Sequence, residues 1–264
     1  MKILLTGANG QLGHYIQQLA PQLLDKDSSL IACSREELDL ANDESIREQI
    51  STVRPDVVIN AAAYTNVDLA ETEKEPAFRI NGVAVGVIAE ACESIGAKLI
   101  QISTDYVFDG KRREPYPVDF PTSPINTYGA SKLEGELLAL SKCSQSCVIR
   151  TSSLYSEYGR NFATTMQRLF QTHPELRVVD DQFSCPTHAK DLALHCIQVA
   201  LKKPFPIGIQ HFCGQEVLSW HQFAQQLLKK FQGETKTQMI HPISSAEFGA
   251  AAKRPEYSVL EITL

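Results

Sequence analysis

Short apolar runs alternate with stretches of helical periodicity through the first half of the chain. Lys2 to Thr6, Leu30 to Cys33, Asp56 to Asn60, Ala97 to Ile102 and Cys147 to Arg150 are nearly continuous apolar segments, the pattern of strands buried on both faces. Between them, Gln11 to Leu19 carries apolar residues at 12, 16 and 19 and is expected to stop near Pro21; Asp43 to Val53, Glu75 to Ile95 and Asn126 to Leu140 also read as helices. This alternation predicts an α/β fold of the Rossmann type, a doubly wound parallel sheet. Beyond about residue 151 the rhythm loosens. Helices are expected at Asn161 to Phe170, His188 to Leu201 and Ser219 to Phe231, with Ser219 as a cap, and strands at Leu176 to Val179 and Ile209 to Phe212. We read residues 1–151 as the core and 152–264 as a smaller C-terminal lobe with elements returning to the core.

Composition narrows the class. The chain has 264 residues, 43% of them hydrophobic, enough for one large domain with a small lobe. Its 31 acidic and 25 basic side chains leave a formal net charge of −6, which gives no general attraction to nucleic acid or to an anionic membrane surface. No apolar stretch approaches the ~18 residues that span a bilayer. The N-terminus turns glycine-rich at Gly7, too early for a signal peptide. The cysteines form no CxxC pair and the histidines no HExxH spacing, so reduced thiols, no metal and a cytosolic location are expected. Trp220, beside Ser219 and His221, is expected in the core.

Gly7-Ala8-Asn9-Gly10-Gln11-Leu12-Gly13 lies between the first strand and the first helix, with GxxGxxG spacing. Glycine permits the tight turn and lets backbone N–H groups and the helix N-terminus approach a pyrophosphate, so residues 1–151 are expected to bind a dinucleotide and the lobe a substrate. The second strand ends Cys33-Ser34-Arg35, where a dinucleotide's 2′ position is read. Ser34 and the planar donor fork of Arg35 favour the 2′-phosphate of NADP, while Glu36 and Glu37 keep NAD open. Asp39 and Leu40 lie where a loop would close over adenine.

Tyr128-Gly129-Ala130-Ser131-Lys132 is a YxxxK spacing at the start of a helix, which puts phenol and ammonium on one face. The cation is expected to lower the phenol's pKa, and the tyrosine to give a proton to a carbonyl oxygen while hydride arrives at its carbon. Lys132 is also placed to hold a nicotinamide ribose. Thr104 follows the fourth strand, at the sheet edge where open α/β sheets bind ligands, and could hydrogen-bond the substrate carbonyl.

Together, Gly7–Gly13, Asp56–Thr65, Ser103–Phe108, Asn126–Lys132, Gly159–Phe162, Asp181-Gln182-Phe183 with Pro186-Thr187, and Arg254-Pro255 resemble the extended short-chain dehydrogenases/reductases, and within them the dTDP-4-dehydrorhamnose reductases. The resemblance implies reduction of the 4-keto group of a dTDP-deoxysugar. It implies Thr104, Tyr128 and Lys132 as the catalytic trio, and Gly10, Gln11, Leu12, Asp39, Leu40, Ala61, Ala62, Ala63 and Tyr64 as cofactor wall. It also implies Thr104, Asp105 and Tyr106 against the sugar, and Asn161 and Gln182 facing the nucleotide-sugar. Arg254 would meet a phosphate, as a guanidinium suits a diphosphate. Ser153 stands where family members commonly place a Trp that packs on the sugar, so another 4-keto sugar, of the dihydrostreptose type, is an alternative substrate. Some members dimerise through a metal bound by glutamates; Tyr15 and Lys190 occupy those positions here, so no such metal is expected, and a homodimer stays open. Relatives usually continue through another helix beyond the Arg254-Pro255 motif. Dehydratases of the group follow Thr-Asp with Glu, here Tyr106, which argues against water elimination. A further branch resembles the regulatory subunit of methionine adenosyltransferase, a non-catalytic alternative that the intact trio disfavours.

Overall fold

The computed structural model describes residues 1–232 and 239–263; residues 233–238 and Leu264, within the expected lobe, lie outside the described residues. The elements run β1 (Lys2–Thr6), α1 (Gln11–Leu23), β2 (Ser29–Cys33), α2 (Asp43–Val53), β3 (Val57–Asn60), α3 (Lys74–Phe78), α4 (Ala84–Ile95), β4 (Lys98–Thr104), α5 (Thr127–Lys142) and β5 (Ser146–Thr151). They continue β6 (Leu154–Tyr155), α6 (Phe162–Thr172), β7 (Glu175–Val179), β8 (Phe183–Ser184), β9 (Thr187–His188), α7 (Ala189–Leu201), β10 (Gly208–His211), β11 (Leu218–Ser219), α8 (Trp220–Gln232), β12 (Met239–Ile243) and α9 (Ser245–Phe248).

Six parallel strands form the central sheet in the order β2-β1-β3-β4-β5-β10. Alternation along β1 explains its two covers. Ile3 and Leu5 face a layer that includes Leu12, Tyr15 and Ile16 of α1 and Leu192, Ala193 and Cys196 of α7. Leu4 faces the opposite layer, with Ile46 and Ile50 of α2, Val85 and Ile88 of α4 and Ala139 of α5. The strand order reverses between β1 and β3, and such a switch opens a ligand crevice beyond the strands' carboxyl ends. The sixth strand and α7 come from the second half of the chain, so that half completes the sheet. Also in that half, α6, α8 and β7 share a separate hydrophobic cluster with Phe162, Phe170, Phe223 and Leu227. All seven cysteines are free and buried. No helix among the described residues is long and apolar enough to cross a membrane.

Two expectations need correction. Helix α1 runs through Pro21 to Leu23. Proline interrupts a helix by losing one hydrogen bond and crowding a carbonyl, but Pro21 lies in the final turn of a helix already anchored by buried Leu12, Tyr15, Ile16 and Ala20. The single helix expected over Glu75 to Ile95 is divided by a π turn at Arg79–Val83. There α5 passes so close that a Cβ on Gly135 would sit 2.1 Å from the Asn81 carbonyl oxygen. The Asn81 side chain leaves the helix to pair with both backbone groups of Tyr64, at 2.9 Å each, and accepts nothing local; its amide also donates to Ser131 Oγ at 3.0 Å. Short strands β6, β8, β9 and β11, and the edge strand β12, carried too little periodicity to be read in advance.

Candidate active site

The glycine turn is shaped by contact. Gly7 has φ +69°, and a Cβ there would approach Ala62 N to 2.8 Å. At Gly13 a Cβ would lie 2.2 Å from the Gly7 carbonyl oxygen, so this glycine lets helix and turn touch. Gly10 caps α1 from an extended conformation, and no side chain caps that helix end. The turn opens into a cavity of about 1200 Å³ lined by Gly7, Gly10, Gln11 and Leu12 on one side and Ala61, Ala62, Ala63 and Tyr64 on the other, with Asp39 and Leu40 at one end. Thr6, Asn60 and Gln101 bond across the ends of β1, β3 and β4, and Thr6 Oγ1 accepts the Ala62 N–H at 3.2 Å, which holds that wall. Small walls, a glycine turn and an uncapped helix N-terminus fit a dinucleotide. Arg35 lines the rim, its side chain 83% exposed and 3.7 Å from Asp39. Ser34 does not line the cavity: its N–H donates to the Glu37 carboxylate at 2.8 Å, closing a turn.

Helix α5 starts at an Asn126 cap whose Oδ1 accepts from Gly129 N at 2.7 Å. Close approach requires Gly129, since a Cβ there would meet the Tyr106 carbonyl oxygen at 2.2 Å. Tyr128 and Lys132 both line the cavity, and the Tyr128 ring meets that of Tyr106 edge-on at 5.9 Å. The expected lowering of the Tyr128 pKa is not what the site does. Burial pushes the phenol up to about 12, with Thr104's hydroxyl pulling down and Asp105's charge pushing further up. The Lys132 ammonium is instead directed at the Ile102 carbonyl, donating at 2.6 Å. Burial holds Lys132 down to about 8, against the attraction of Glu136. At neutral pH the phenol therefore keeps its proton and is poised as an acid.

Asp105, expected against the sugar, lines the cavity but has its carboxylate enclosed. It accepts from Thr104 Oγ1 at 3.0 Å, from Ser152 Oγ at 2.9 Å and from Ser258 Oγ. Burial outweighs these bonds and pushes the carboxyl up to about 6. Its observed contact is therefore with Thr104, whose oxygen also accepts the Tyr106 N–H. Ser152 and Ser258 gave no signal in the sequence, because the second arrives on the C-terminal segment, stitched back through Tyr116 and His211.

A second cavity adjoins the first at Tyr106, Arg160, Asn161, Phe162 and Trp220. Gln182 and Arg254 line it, and Ser153 lines the first cavity. Ser153 has φ +46° and bonds Ser184 Oγ at 2.8 Å. Asn161 caps α6 and donates to Gln11 Oε1 at 2.9 Å, tying the lobe to the glycine turn. Arg254 grips Asp68 with both terminal nitrogens, at 3.0 and 2.7 Å, so its charge is already paired where a phosphate contact was expected. Trp220 belongs partly to the cavities and not only to the core: it lines both, its ring tilted against that of Phe162 at 4.7 Å. Arg160 lines both cavities too; it stands in the Gly159–Phe162 motif but was not singled out by sequence.

The whole chain, residues 1–264, matches the family model described as the RmlD substrate binding domain. Spore coat polysaccharide biosynthesis protein SpsK of Bacillus subtilis is 40% identical over 98% of this chain and 88% of its own length. The dTDP-4-dehydrorhamnose reductase of Escherichia coli K12 is 37% identical over 98% of this chain and 89% of its own. Among solved structures, the dTDP-4-dehydrorhamnose reductase of Bacillus anthracis in complex with NADP superposes with a TM-score of 0.92 at 36% identity, covering 99% of this chain and 90% of that one. Motif order, parallel-sheet architecture and near-full-length similarity lead to one statement: the chain belongs to the dTDP-4-dehydrorhamnose reductase family of extended short-chain dehydrogenases/reductases.

Proposed function

We propose that this protein reduces the 4-keto group of a dTDP-linked 6-deoxysugar with NADPH, dTDP-4-dehydrorhamnose to dTDP-L-rhamnose being the leading substrate, in the cytosol. The observation that carries the reading is the convergence of Thr104, Tyr128 and Lys132 beside the seam of two cavities, one walled by a glycine turn and the other containing Gln182 and Arg254. We assign residues 1–151 to the dinucleotide and 152–264 chiefly to the substrate. Gly7, Gly10, Gln11, Leu12 and Gly13 would form the phosphate turn, Asp39 and Leu40 would flank adenine, and Ala61 to Tyr64 would form the facing wall. Arg35 would reach a 2′-phosphate. NADPH, when bound, supplies the hydride.

Tyr128 would give its proton to the carbonyl oxygen; a phenol held near 12 is protonated when that proton is needed. Thr104 would orient the same oxygen by turning to it the hydroxyl hydrogen that Asp105 accepts in this structure. Lys132, fixed on Ile102 O, would hold the cofactor ribose. Tyr106, Ser153, Asn161, Gln182 and Arg254 would border the nucleotide-sugar. Ser153 supports a second substrate reading, a dihydrostreptose-type 4-keto sugar, because a hydroxymethyl held by Ser184 offers no aromatic platform. The test is NADPH consumption by the purified protein with dTDP-4-dehydrorhamnose. Turnover is expected; no turnover with it but turnover with another dTDP-4-keto sugar would move the assignment to that sugar.

A further inference from the structure

Behind the trio lies a buried ion pair that the reaction scheme does not use. Glu136 is 1% exposed, and the Arg150 side chain 3%. Arg150 reaches Glu136 through Nε at 2.9 Å and Nη2 at 2.7 Å, and Ser103 Oγ donates to the same carboxylate. Burying two charges is expensive enough that such pairs are often no more stabilising than apolar residues of similar size. Its placement offers another reason for it. Tyr128, Lys132 and Glu136 recur every four residues on α5, so they share a face. Consecutive residues of β4 receive that face: Lys132 bonds Ile102, Glu136 bonds Ser103, and the next residue is Thr104. In the β4–β5 register Ser103 stands opposite Arg150, and Thr104 opposite Thr151.

We propose that Glu136 is a positioning residue for the proton donor and its cation: with Arg150 it clamps the Tyr128–Lys132 face of α5 onto the ends of β4 and β5, and it supplies the negative charge that keeps buried Lys132 protonated. The assignment rests on the reductase reading above. Charged and titratable groups reach this region from each packed element. Asp105 follows β4, Arg150 lies on β5 and His211 on β10, while the π turn brings the neutral Asn81 to Ser131. Of these and the groups on α5 itself, Glu136 is the charge whose attraction bears on Lys132. Arg150 holds Glu136 through Nε and Nη2, and its third nitrogen, Nη1, faces Val118 O at 3.2 Å and His211 at 3.4 Å.

The test is the full-length Glu136→Gln variant, compared with the natural protein in NADPH binding by fluorescence and in keto-sugar reduction, from about pH 6 to about pH 10. Loss of the Lys132 proton should weaken NADPH binding on the alkaline side. In the variant that alkaline limb should move to lower pH by about one unit or more, with a higher KM for NADPH. Should Glu136→Gln fail to fold, Glu136→Gln with Arg150→Gln leaves no unpaired buried charge and should show a smaller shift in the same direction. A limb at its original pH in the folded variant, with only the melting temperature lowered, assigns Glu136 to structure alone and overturns the proposal. Failure of the natural protein to reduce any keto-sugar would overturn the reductase reading instead, and the NADPH-binding limb would still decide the role of Glu136.

Discussion

Replacing Gly13 with alanine probes the contact on which the dinucleotide turn depends. The added methyl would lie 2.2 Å from the Gly7 carbonyl oxygen and 2.9 Å from Ala8 Cα and its carbonyl oxygen. Favourable non-bonded contact begins near ~3.5 Å, and every one of these neighbours is backbone, so the strain is relieved only by parting α1 from the turn. Overpacking of this kind costs about 1–3 kcal/mol, and alanine's better helix propensity returns about 1 kcal/mol at most. A net loss of about 1–2 kcal/mol lowers the melting temperature of a protein this size by about 2–8 °C. If the turn opens by the same free energy, NADPH binding weakens by about fivefold to thirtyfold. Gly10→Ala is the internal control. Its nearest neighbour would be the Gly7 oxygen at 3.3 Å, and its φ of −80° suits any residue, so its stability should change by no more than about 0.5 kcal/mol. Thermal melts followed by circular dichroism, with NADPH fluorescence titration, measure both quantities. Equal melting of Gly13→Ala and the natural protein, or equal losses at Gly10 and Gly13, would refute the steric argument.

Tyr128→Phe should bind NADPH normally and lose roughly two to four decades of turnover; stopped-flow reduction with an unchanged rate would remove Tyr128 from its role. Arg35→Ala should shift the ratio of kcat/KM values from NADPH toward NADH, since its exposed fork is the group proposed for the 2′-phosphate; an unaltered ratio would contradict that assignment. His211 is held down to about 4 by burial and by Arg150. Its folded pKa is thus below the unfolded value of ~6.5, so its contribution is present above ~6.5 and lost as pH falls toward 4. The sum over that window is about 3 kcal/mol. His211→Gln should flatten this part of the stability profile in urea melts, and parallel profiles for the two proteins would count against a buried neutral His211.

Local chemistry made much of this molecule legible. Five strands, the edge strand β2 among them, the helices between them, the GxxGxxG turn and the YxxxK helix follow from nearest-neighbour patterns, because glycine's conformational freedom and the helical repeat act within a few residues. Tertiary structure alone decided the electrostatics. The phenol of Tyr128 rises to about 12 because burial outweighs the Thr104 hydroxyl, and the nearby ammonium of Lys132 turns instead to Ile102 O. Asp105 is enclosed by Ser152 and Ser258, separated from it by 47 and 153 residues, and Arg254 is paired with Asp68 across 186. The π turn at Asn81 likewise lies where α5 packs closely against it. Periodicity records which face of an element is buried, whereas pKa values and ion pairs depend on what lies across that face, and only the folded chain brings those partners together.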